Sequence, residues 1–422
     1  MFLEALKINY KIKESDFTRN RKQSFAGTIL FMVNRITKSL AIEIENFVAY
    51  CNENCLDADF QPLFTKSAFV QYRKKINHKV FKRLSSALLD EFYTDNDEAV
   101  KLWKGHRLLA VDGSRLTLPQ NNELLKYFGE TINQNSTCVI QGRVSVLYDV
   151  LNNYALYSTL SPLVIGENKL AIEHLKCCKK NDLIIFDRGY PGFPLIYQLN
   201  KKKIDFVIRA KQSFSKITKS FSESEATSLL IEIYPGQNKN FINLPFTKKA
   251  KMLIRLVKAT LDSGEHEILI TSLKDESKYP NEIFKDLYFE RLKVETYYDE
   301  LKNKLKIEHF SGYSKQAILQ DFEATIFVSN LQTLIVTELN EELEHKKKYR
   351  YKVNNAISYG LLKNKVVSIF FNSDPENLIE DLKATFKKHL VPIRPNRSLP
   401  RKTMKFKRRR KPIVPKNQKD TF

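Results

Sequence analysis

Four side chains of one predicted helix have the types and spacing to handle phosphate. Tyr288, Arg291, Glu295 and Lys302 stand at positions i, i+3, i+7 and i+14. On an α-helix these positions share an arc of about 60° and extend over roughly 21 Å. A carboxylate flanked by an aromatic ring and two cations can face a phosphodiester. An ordinary amphipathic helix with mixed charges has the same pattern, and the helix alone does not choose between the two interpretations.

The residues from 283 to 305 predict one continuous helix beneath these side chains. They include no Gly or Pro. Apolar residues recur with helical period at Ile283, Leu287, Val294, Tyr298, Leu301 and Leu305. These six residues fall within an arc of about 60°, and we therefore expect them to face a core.

Two aspartates accompany apolar, strand-like runs earlier in the chain. Asp112 interrupts the apolar run 107–119, and Asp187 directly follows the run 183–186. A buried Asp costs several kcal/mol unless it is paired or binds a metal. For Asp112, the alternative is a cap on the following turn. The carboxyl end of a strand, where Asp187 stands, is the usual position of a site in an open α/β fold.

These segments together resemble a known family. The spacing Tyr288, Arg291, Glu295, Lys302 and the run Asp187-Arg-Gly-Tyr190 resemble the signature of the insertion-sequence-four group of bacterial DDE transposases. The resemblance extends from about Ser67 to the C-terminus. It implies an α/β fold with a ribonuclease-H-like mixed sheet and flanking helices. It also implies that Asp112, Asp187 and Glu295 are the catalytic and metal-binding residues.

The resemblance and the hydrophobic patterns together predict five regions. The gap of 108 residues between Asp187 and Glu295 exceeds what a ribonuclease-H-like core needs, and members of this group have a β-rich insertion there. Its predicted strands are Phe241–Leu244, Met252–Thr260 and Glu267–Leu273. The predicted regions are a helical DNA-binding region (1–100), a catalytic core (101–210 and 281–340), the β-rich insertion (211–280), a helical C-terminal region (341–390) and a disordered basic tail (391–422).

Three carboxylates on neighbouring strands and a helix could hold two divalent ions about 3.5–4 Å apart. Hard oxygen ligands favour Mg²⁺ or Mn²⁺. The resemblance implies binding of terminal inverted repeats, strand cleavage and strand transfer. No covalent Ser or Tyr nucleophile is required, so the sequence does not favour a serine or tyrosine recombinase. Asp299 shares the helix face of Glu295, and only the family spacing selects Glu295 as the ligand.

Basic side chains are the predicted DNA contacts. The net charge of +22 indicates a polyanionic partner, and half of it lies in residues 394–422, which hold 12 Lys or Arg and one Asp. Beside the catalytic carboxylates, we expect Arg291, Lys302 and Arg188 to contact phosphates. Tyr288 would stack on a displaced nucleotide or hydrogen-bond to it. Further predicted contacts are Arg73 and Lys74, in a basic helical segment, and Arg408, Arg409 and Arg410, in the tail.

We expect double-stranded DNA, as transposon ends and target, to be the partner, with a homodimer in the synaptic complex. The sequence has no run of 18 apolar residues and no signal-peptide pattern, which predicts a cytoplasmic, nucleoid-associated protein without membrane contact. The five scattered cysteines favour neither disulfides nor a zinc site. Two alternatives stay open: another ribonuclease-H-like metal nuclease, and a catalytically inactive DNA-binding derivative.

Overall fold

The structure is a computed structural model that describes residues 2–19, 23–54, 64–95, 99–132, 138–236, 246–261, 264–343, 350–371 and 374–394. The described residues form two compact units. The helical unit lies within Met1–Glu91, Leu116–Gly142 and Glu300–Phe422. The sheet unit comprises Phe92–Arg115 and Arg143–Asp299. Of the residues predicted from sequence, Phe241–Leu244, Arg408, Arg409 and Arg410 lie outside the described ranges.

The described helices are α1 (Phe2–Tyr10), α2 (Phe25–Val33), α3 (Leu40–Asn54), α4 (Lys66–Arg73), α5 (Lys79–Asp95), α6 (Asn122–Phe128), α7 (Glu167–His174), α8 (Phe193–Lys201), α9 (Lys216–Glu223), α10 (Ile283–Phe289), α11 (Leu292–Asp299), α12 (Lys315–Glu342), α13 (Asn355–Leu362), α14 (Lys365–Phe371) and α15 (Pro375–Phe386). The described strands are β1 (Leu108–Thr117), β2 (Glu130–Ile132), β3 (Cys138–Asp149), β4 (Tyr154–Pro162), β5 (Leu183–Phe186), β6 (Asp205–Ala210), β7 (Ser228–Ile233), β8 (Met252–Thr260), β9 (His266–Thr271), β10 (Tyr351–Val353) and β11 (Leu390–Pro392). A 3₁₀ turn (Gln212–Phe214) and a π-helical segment (Glu300–Lys304) complete them.

The helical unit is organised around two apolar helices, α2 and α12. Ser24 caps α2 by accepting a hydrogen bond from the Gly27 amide, and all nine residues of α2 are buried. Phe31 of α2 makes edge-to-face ring contacts with Phe47, Phe64 and Phe69. Such contacts stabilise a core beyond the area they bury. No helix in the described ranges is both long and apolar enough to cross a membrane.

The sheet has the strand order β4-β3-β1-β5-β6-β9-β8-β7, and β2 pairs with the start of β3. β1, β5 and β6 are parallel neighbours, whereas β6 pairs antiparallel with β9. β5 is apolar and buried along its length, as expected for a strand covered on both faces. This mixed sheet with flanking helices confirms the predicted ribonuclease-H-like α/β fold.

The predicted insertion contributes strands to the same sheet. β8 has the bounds predicted from sequence, and β9 covers most of the predicted strand Glu267–Leu273. The two form a hairpin whose turn includes Gly264 at a φ of 83°, a conformation that glycine adopts without strain. Because β9 pairs directly with β6, these strands widen the central sheet. The domain boundaries proposed from sequence stay a prediction.

The prediction of one continuous helix from 283 to 305 is wrong. The chain turns at Glu290 and Arg291, where the Arg291 amide donates to the Tyr288 carbonyl at 3.1 Å, a three-residue spacing. Later, the Leu305 amide donates to Glu300 at 3.1 Å, a five-residue spacing typical of a π-turn. These changes interrupt the regular α-helical geometry on which the arc predicted for Lys302 depends. The buried stripe through Leu287, Val294 and Tyr298 is confirmed.

Candidate active site

Asp112 and Asp187 occupy matching positions on two neighbouring parallel strands. Val111 of β1 is paired with Phe186 of β5, and each aspartate is the next residue in this register. Neighbouring strands lie about 4.8 Å apart, and residues in register point to the same face of the sheet. Two positions that are 75 residues apart in sequence are therefore adjacent, at the carboxyl end of β5.

Two tyrosine hydroxyls attach α10 and α11 to these strand ends. Tyr288 of α10 donates a hydrogen bond to a carboxylate oxygen of Asp187 at 3.1 Å. Tyr298 of α11 donates to the backbone carbonyl of Asp112 at 2.8 Å. Burial raises the pKa of Tyr288 to about 12, so this phenol is protonated and donates to Asp187 at neutral pH. Each helix is thus fixed to a different aspartate.

Arg291 lies between the carboxylates of Asp112 and Glu295. Its Nη2 is 2.5 Å from Glu295 Oε1, and its Nη1 is 3.9 Å from Asp112 Oδ2. The Arg291 side chain is buried, whereas that of Glu295 is 51% exposed. Burial alone would lower the pKa of Arg291. The neighbouring Tyr288, Glu295 and Asp187 raise this pKa by more than burial lowers it, so the guanidinium stays charged. A single cation therefore joins the helix carboxylate to the strand carboxylate.

The site carries uncompensated negative charge at Asp112. Burial, followed by the charges of Glu295 and Asp187, raises the pKa of Asp112 to about 6. The Gly113 amide and Arg291 oppose this rise without cancelling it. A carboxyl group with such a pKa indicates a place where added positive charge would be stabilising.

Comparison with known proteins identifies the family. A family model described as the transposase DDE domain matches residues 103–331, more than half of the chain and all three carboxylates. The chain belongs to the DDE transposase family. The resemblance to the bacterial insertion-sequence-four group is confirmed by its relatives.

Two bacterial transposases are similar to this DDE transposase. Transposase InsG of insertion sequence element IS4, from Escherichia coli K12, is 22% identical over 291 residues, which are 67% of the chain and 64% of that protein. The putative transposase InsZ of the same strain is 26% identical over 148 residues, 33% of the chain and 47% of that protein. The chain thus spans about half to two thirds of the length of these relatives.

A solved structure also resembles this DDE transposase. The cryo-EM structure of the piggyBac transposase synaptic complex with hairpin DNA aligns with a TM-score of 0.44 at 10% identity, covering 96% of this chain and 84% of that chain.

Membership in this family implies the use of divalent metal ions. The donor chemistry fits, since Asp112, Asp187 and Glu295 offer the hard oxygen ligands that such ions prefer. Within the described ranges, no three His, Cys, Asp or Glu side chains are already grouped to hold a metal. Arg291 explains this arrangement, because it engages Glu295 beside Asp112. Because the Glu295 side chain is exposed, it has room to change its rotamer.

Arg73, a predicted DNA contact, is buried in this DDE transposase. Its guanidinium donates to Gln320 at 3.0 Å, to Ser311 at 2.8 Å and to the Ala317 carbonyl at 3.2 Å, and it forms an ion pair with Asp321 at 2.9 Å. These partners occupy the donors that a phosphate would need, so a DNA contact does not agree with the geometry. The neighbouring Lys74 is exposed.

The other predicted contacts differ in their surroundings. Tyr288 and Arg291 are buried within the site described above, with the Arg291 guanidinium carbon 5.8 Å from the Tyr288 ring centre. Arg188 is exposed on the loop after Asp187. Lys302 lies in the π-helical segment of the helical unit. The roles of all four stay predictions.

Three further residues lie beside the aspartates and were not singled out from the sequence as site residues. Tyr190, in the Asp-Arg-Gly-Tyr run, is buried near Asp112 and Asp187. Glu167 and Arg143 form an ion pair at 3.6 Å next to the same strands. The run pointed to Tyr190, but neither Glu167 nor Arg143 stands in a recognisable motif.

Proposed function

We propose that this chain is a DNA transposase that binds the terminal inverted repeats of its element, cuts DNA strands there and transfers them to a target. The observation that carries the proposal is the matched register of Asp112 and Asp187, with Glu295 joined to them through Arg291. Membership in the DDE transposase family supports the same assignment of roles.

In this proposal Asp112, Asp187 and Glu295 would hold two divalent ions, Mg²⁺ or Mn²⁺. Bound divalent ions would activate a water molecule or a 3′-hydroxyl and stabilise the leaving oxygen. Glu295 turns from Arg291 toward the aspartates, and the Arg291 guanidinium becomes available to a phosphate oxygen. Tyr288 keeps Asp187 oriented through its hydroxyl. The ion pair between Arg291 and Glu295 must therefore break before Glu295 can join the two aspartates.

DNA binding is assigned to basic residues other than those of this centre. Lys74, Arg188, Lys302 and the tail arginines Arg408–Arg410 are the proposed contacts, and Arg73 is omitted because its donors are used internally. The partner is double-stranded DNA, with two copies of the chain in the synaptic complex. The net charge of +22 supports association with the nucleoid.

The test uses the DNA that flanks the gene. A labelled fragment carrying the flanking end is incubated with the protein and Mg²⁺ or Mn²⁺, with the Glu295→Gln variant as control. We expect a nick at the element's end and a joined product with target DNA, both absent from the control. Metal-dependent cutting without preference for the end would favour another nuclease. Specific binding without cutting would favour an inactive derivative.

A further inference from the structure

A fourth carboxylate, that of Glu167, lies against both aspartate-bearing segments. A Cβ atom placed on Gly113, the residue after Asp112, would lie 3.3 Å from Cδ of Glu167. A Cβ placed on Gly189, two residues after Asp187, would lie 3.9 Å from Oε2 of the same side chain. Two glycines thus leave room for Glu167 beside the catalytic strand ends.

The Glu167 side chain is 44% exposed and is held only loosely by its ion-pair partner. Its recorded partner within the described ranges is Arg143, at 3.6 Å, which is an ion-pair distance but too long for a hydrogen bond. The Nε atom of Arg143 is itself buried without a hydrogen-bond partner. Glu167 is the first residue of α7, where an acidic side chain favours the helix dipole. That explanation accounts for its charge but not for its contact with the segments that carry the two aspartates.

A buried hydroxyl faces the same place. Tyr190 is 2% exposed, and its Oη has no hydrogen-bond partner within the described ranges. Burial, then the charges of Asp112, Glu167 and Asp187, raises the pKa of Tyr190, so its hydroxyl lies within the influence of all three carboxylates. Burying a phenol hydroxyl without a hydrogen-bond partner has a free-energy cost. This cost indicates a missing ligand, such as an ordered water or an ion with its water shell.

We propose that Glu167 is a fourth carboxylate of the metal site. Its side chain would turn toward a divalent ion held by Asp112 and Asp187 and would bind that ion directly or through a water molecule, which the Tyr190 hydroxyl would also contact. The inference rests on the proposed function, because it presupposes that the two aspartates bind metal. It adds a ligand on α7 that the three-carboxylate assignment does not contain.

Mn²⁺ binding to the full chain without DNA tests the inference separately from activity. Titrations followed by electron paramagnetic resonance compare the wild type with Glu167→Gln, Asp112→Asn and the control Glu173→Gln, which lies on the same helix. We expect Glu167→Gln to weaken Mn²⁺ binding at least tenfold, as losses at ligands and their supports commonly do. We expect Glu173→Gln to bind as the wild type does.

The outcomes separate the two claims. Wild-type affinity in Glu167→Gln together with weakened binding in Asp112→Asn would overturn the inference and leave the proposed function intact. Wild-type affinity in Asp112→Asn, or no Mn²⁺ binding by the wild type, would overturn both.

A double-mutant cycle then tests whether Gly113 leaves room for this role. The added methyl of Gly113→Ala presses on Glu167, so it should weaken Mn²⁺ binding severalfold in the wild type and have little effect in a Glu167→Ala background. Equal effects in both backgrounds would show that Gly113 acts independently of Glu167, and would contradict the inference.

Discussion

Replacing Asp112 by Asn should stabilise the metal-free protein. The pKa of Asp112 is raised from 3.8 to about 6, chiefly by burial and then by Glu295 and Asp187. At 1.36 kcal/mol per pKa unit, this difference makes the charged form of Asp112 cost about 3 kcal/mol in the folded state. Asparagine keeps the shape of the side chain without the charge. The free energy of unfolding should therefore rise by up to about 3 kcal/mol at pH 7.5 in the presence of a chelator.

The sign of the pH dependence follows from the direction of the pKa change. Because the folded state holds the Asp112 proton more tightly than the unfolded chain, the destabilisation is complete above pH 6 and fades toward pH 4. The advantage of Asp112→Asn over the wild type should therefore shrink as the pH falls through this window.

Trp103 provides the assay. It is the single tryptophan of the chain and lies in the sheet unit, stacked at 6.0 Å from Tyr279. Urea unfolding followed by its fluorescence reports the unit that contains Asp112. Asp286→Asn, an exposed carboxylate in the same unit, is the control and should change stability by less than about 0.5 kcal/mol. The reasoning would be refuted if Asp112→Asn were no more stable than the wild type at pH 7.5. It would also be refuted if the difference in the free energy of unfolding were as large at pH 4 as at pH 7.5.

Divalent ions should narrow the stability difference between the wild type and Asp112→Asn. A ligand at one hundred times its dissociation constant stabilises the folded state by about 2.7 kcal/mol. Mg²⁺ or Mn²⁺ should therefore stabilise the wild type and have a smaller effect on Asp112→Asn.

Three further predictions concern the tail, the helix carboxylates and Arg73. If the tail contacts about five phosphates, deleting residues 394–422 should reduce the steepness of the slope of log K for DNA binding against log salt concentration by roughly 4 to 5. An unchanged slope would show that the tail contacts no phosphate. Glu295→Gln should abolish cleavage of an end fragment while Asp299→Asn retains most of it, and the reverse result would mean that the motif register is wrong. Arg73→Ala should lower the free energy of unfolding by about 3–5 kcal/mol, because it removes the ion pair with the partly buried Asp321 and leaves the buried Gln320 and Ala317 oxygens without their donor. Unchanged urea unfolding by circular dichroism would contradict this.

The strands and their aspartates were predictable because their signals are local. An apolar run that meets a carboxylate identifies the position of Asp112 and Asp187 without knowledge of the rest of the fold. The same holds for β8, whose bounds follow from its own composition and the turn after it. Glu295 was predicted as the helix ligand from the spacing of the family signature, because helix geometry alone does not distinguish it from Asp299.

Features that depend on distant partners were not predictable. Gln320 and Asp321, which bury Arg73, lie 247 and 248 residues away in the sequence, so the local pattern shows only a basic segment. The helix is interrupted at Glu290 and Arg291, where the sequence contains no Gly or Pro that would predict a break. This break separates α10, bonded to Asp187, from α11, bonded to Asp112. Glu167 likewise meets Gly113 only in the folded chain.

The most direct test of the central claim measures cleavage and binding on one labelled end fragment. Asp112→Ala, Asp187→Ala and Glu295→Ala are each compared with the wild type in Mg²⁺. The account predicts that each variant loses most of its nicking rate, because ligands that share metal ions act as a unit. Each should bind the fragment as tightly as the wild type or slightly more tightly, since a negative charge has been removed. Retained nicking by the Asp112→Ala or Asp187→Ala variant would contradict the assignment of this site.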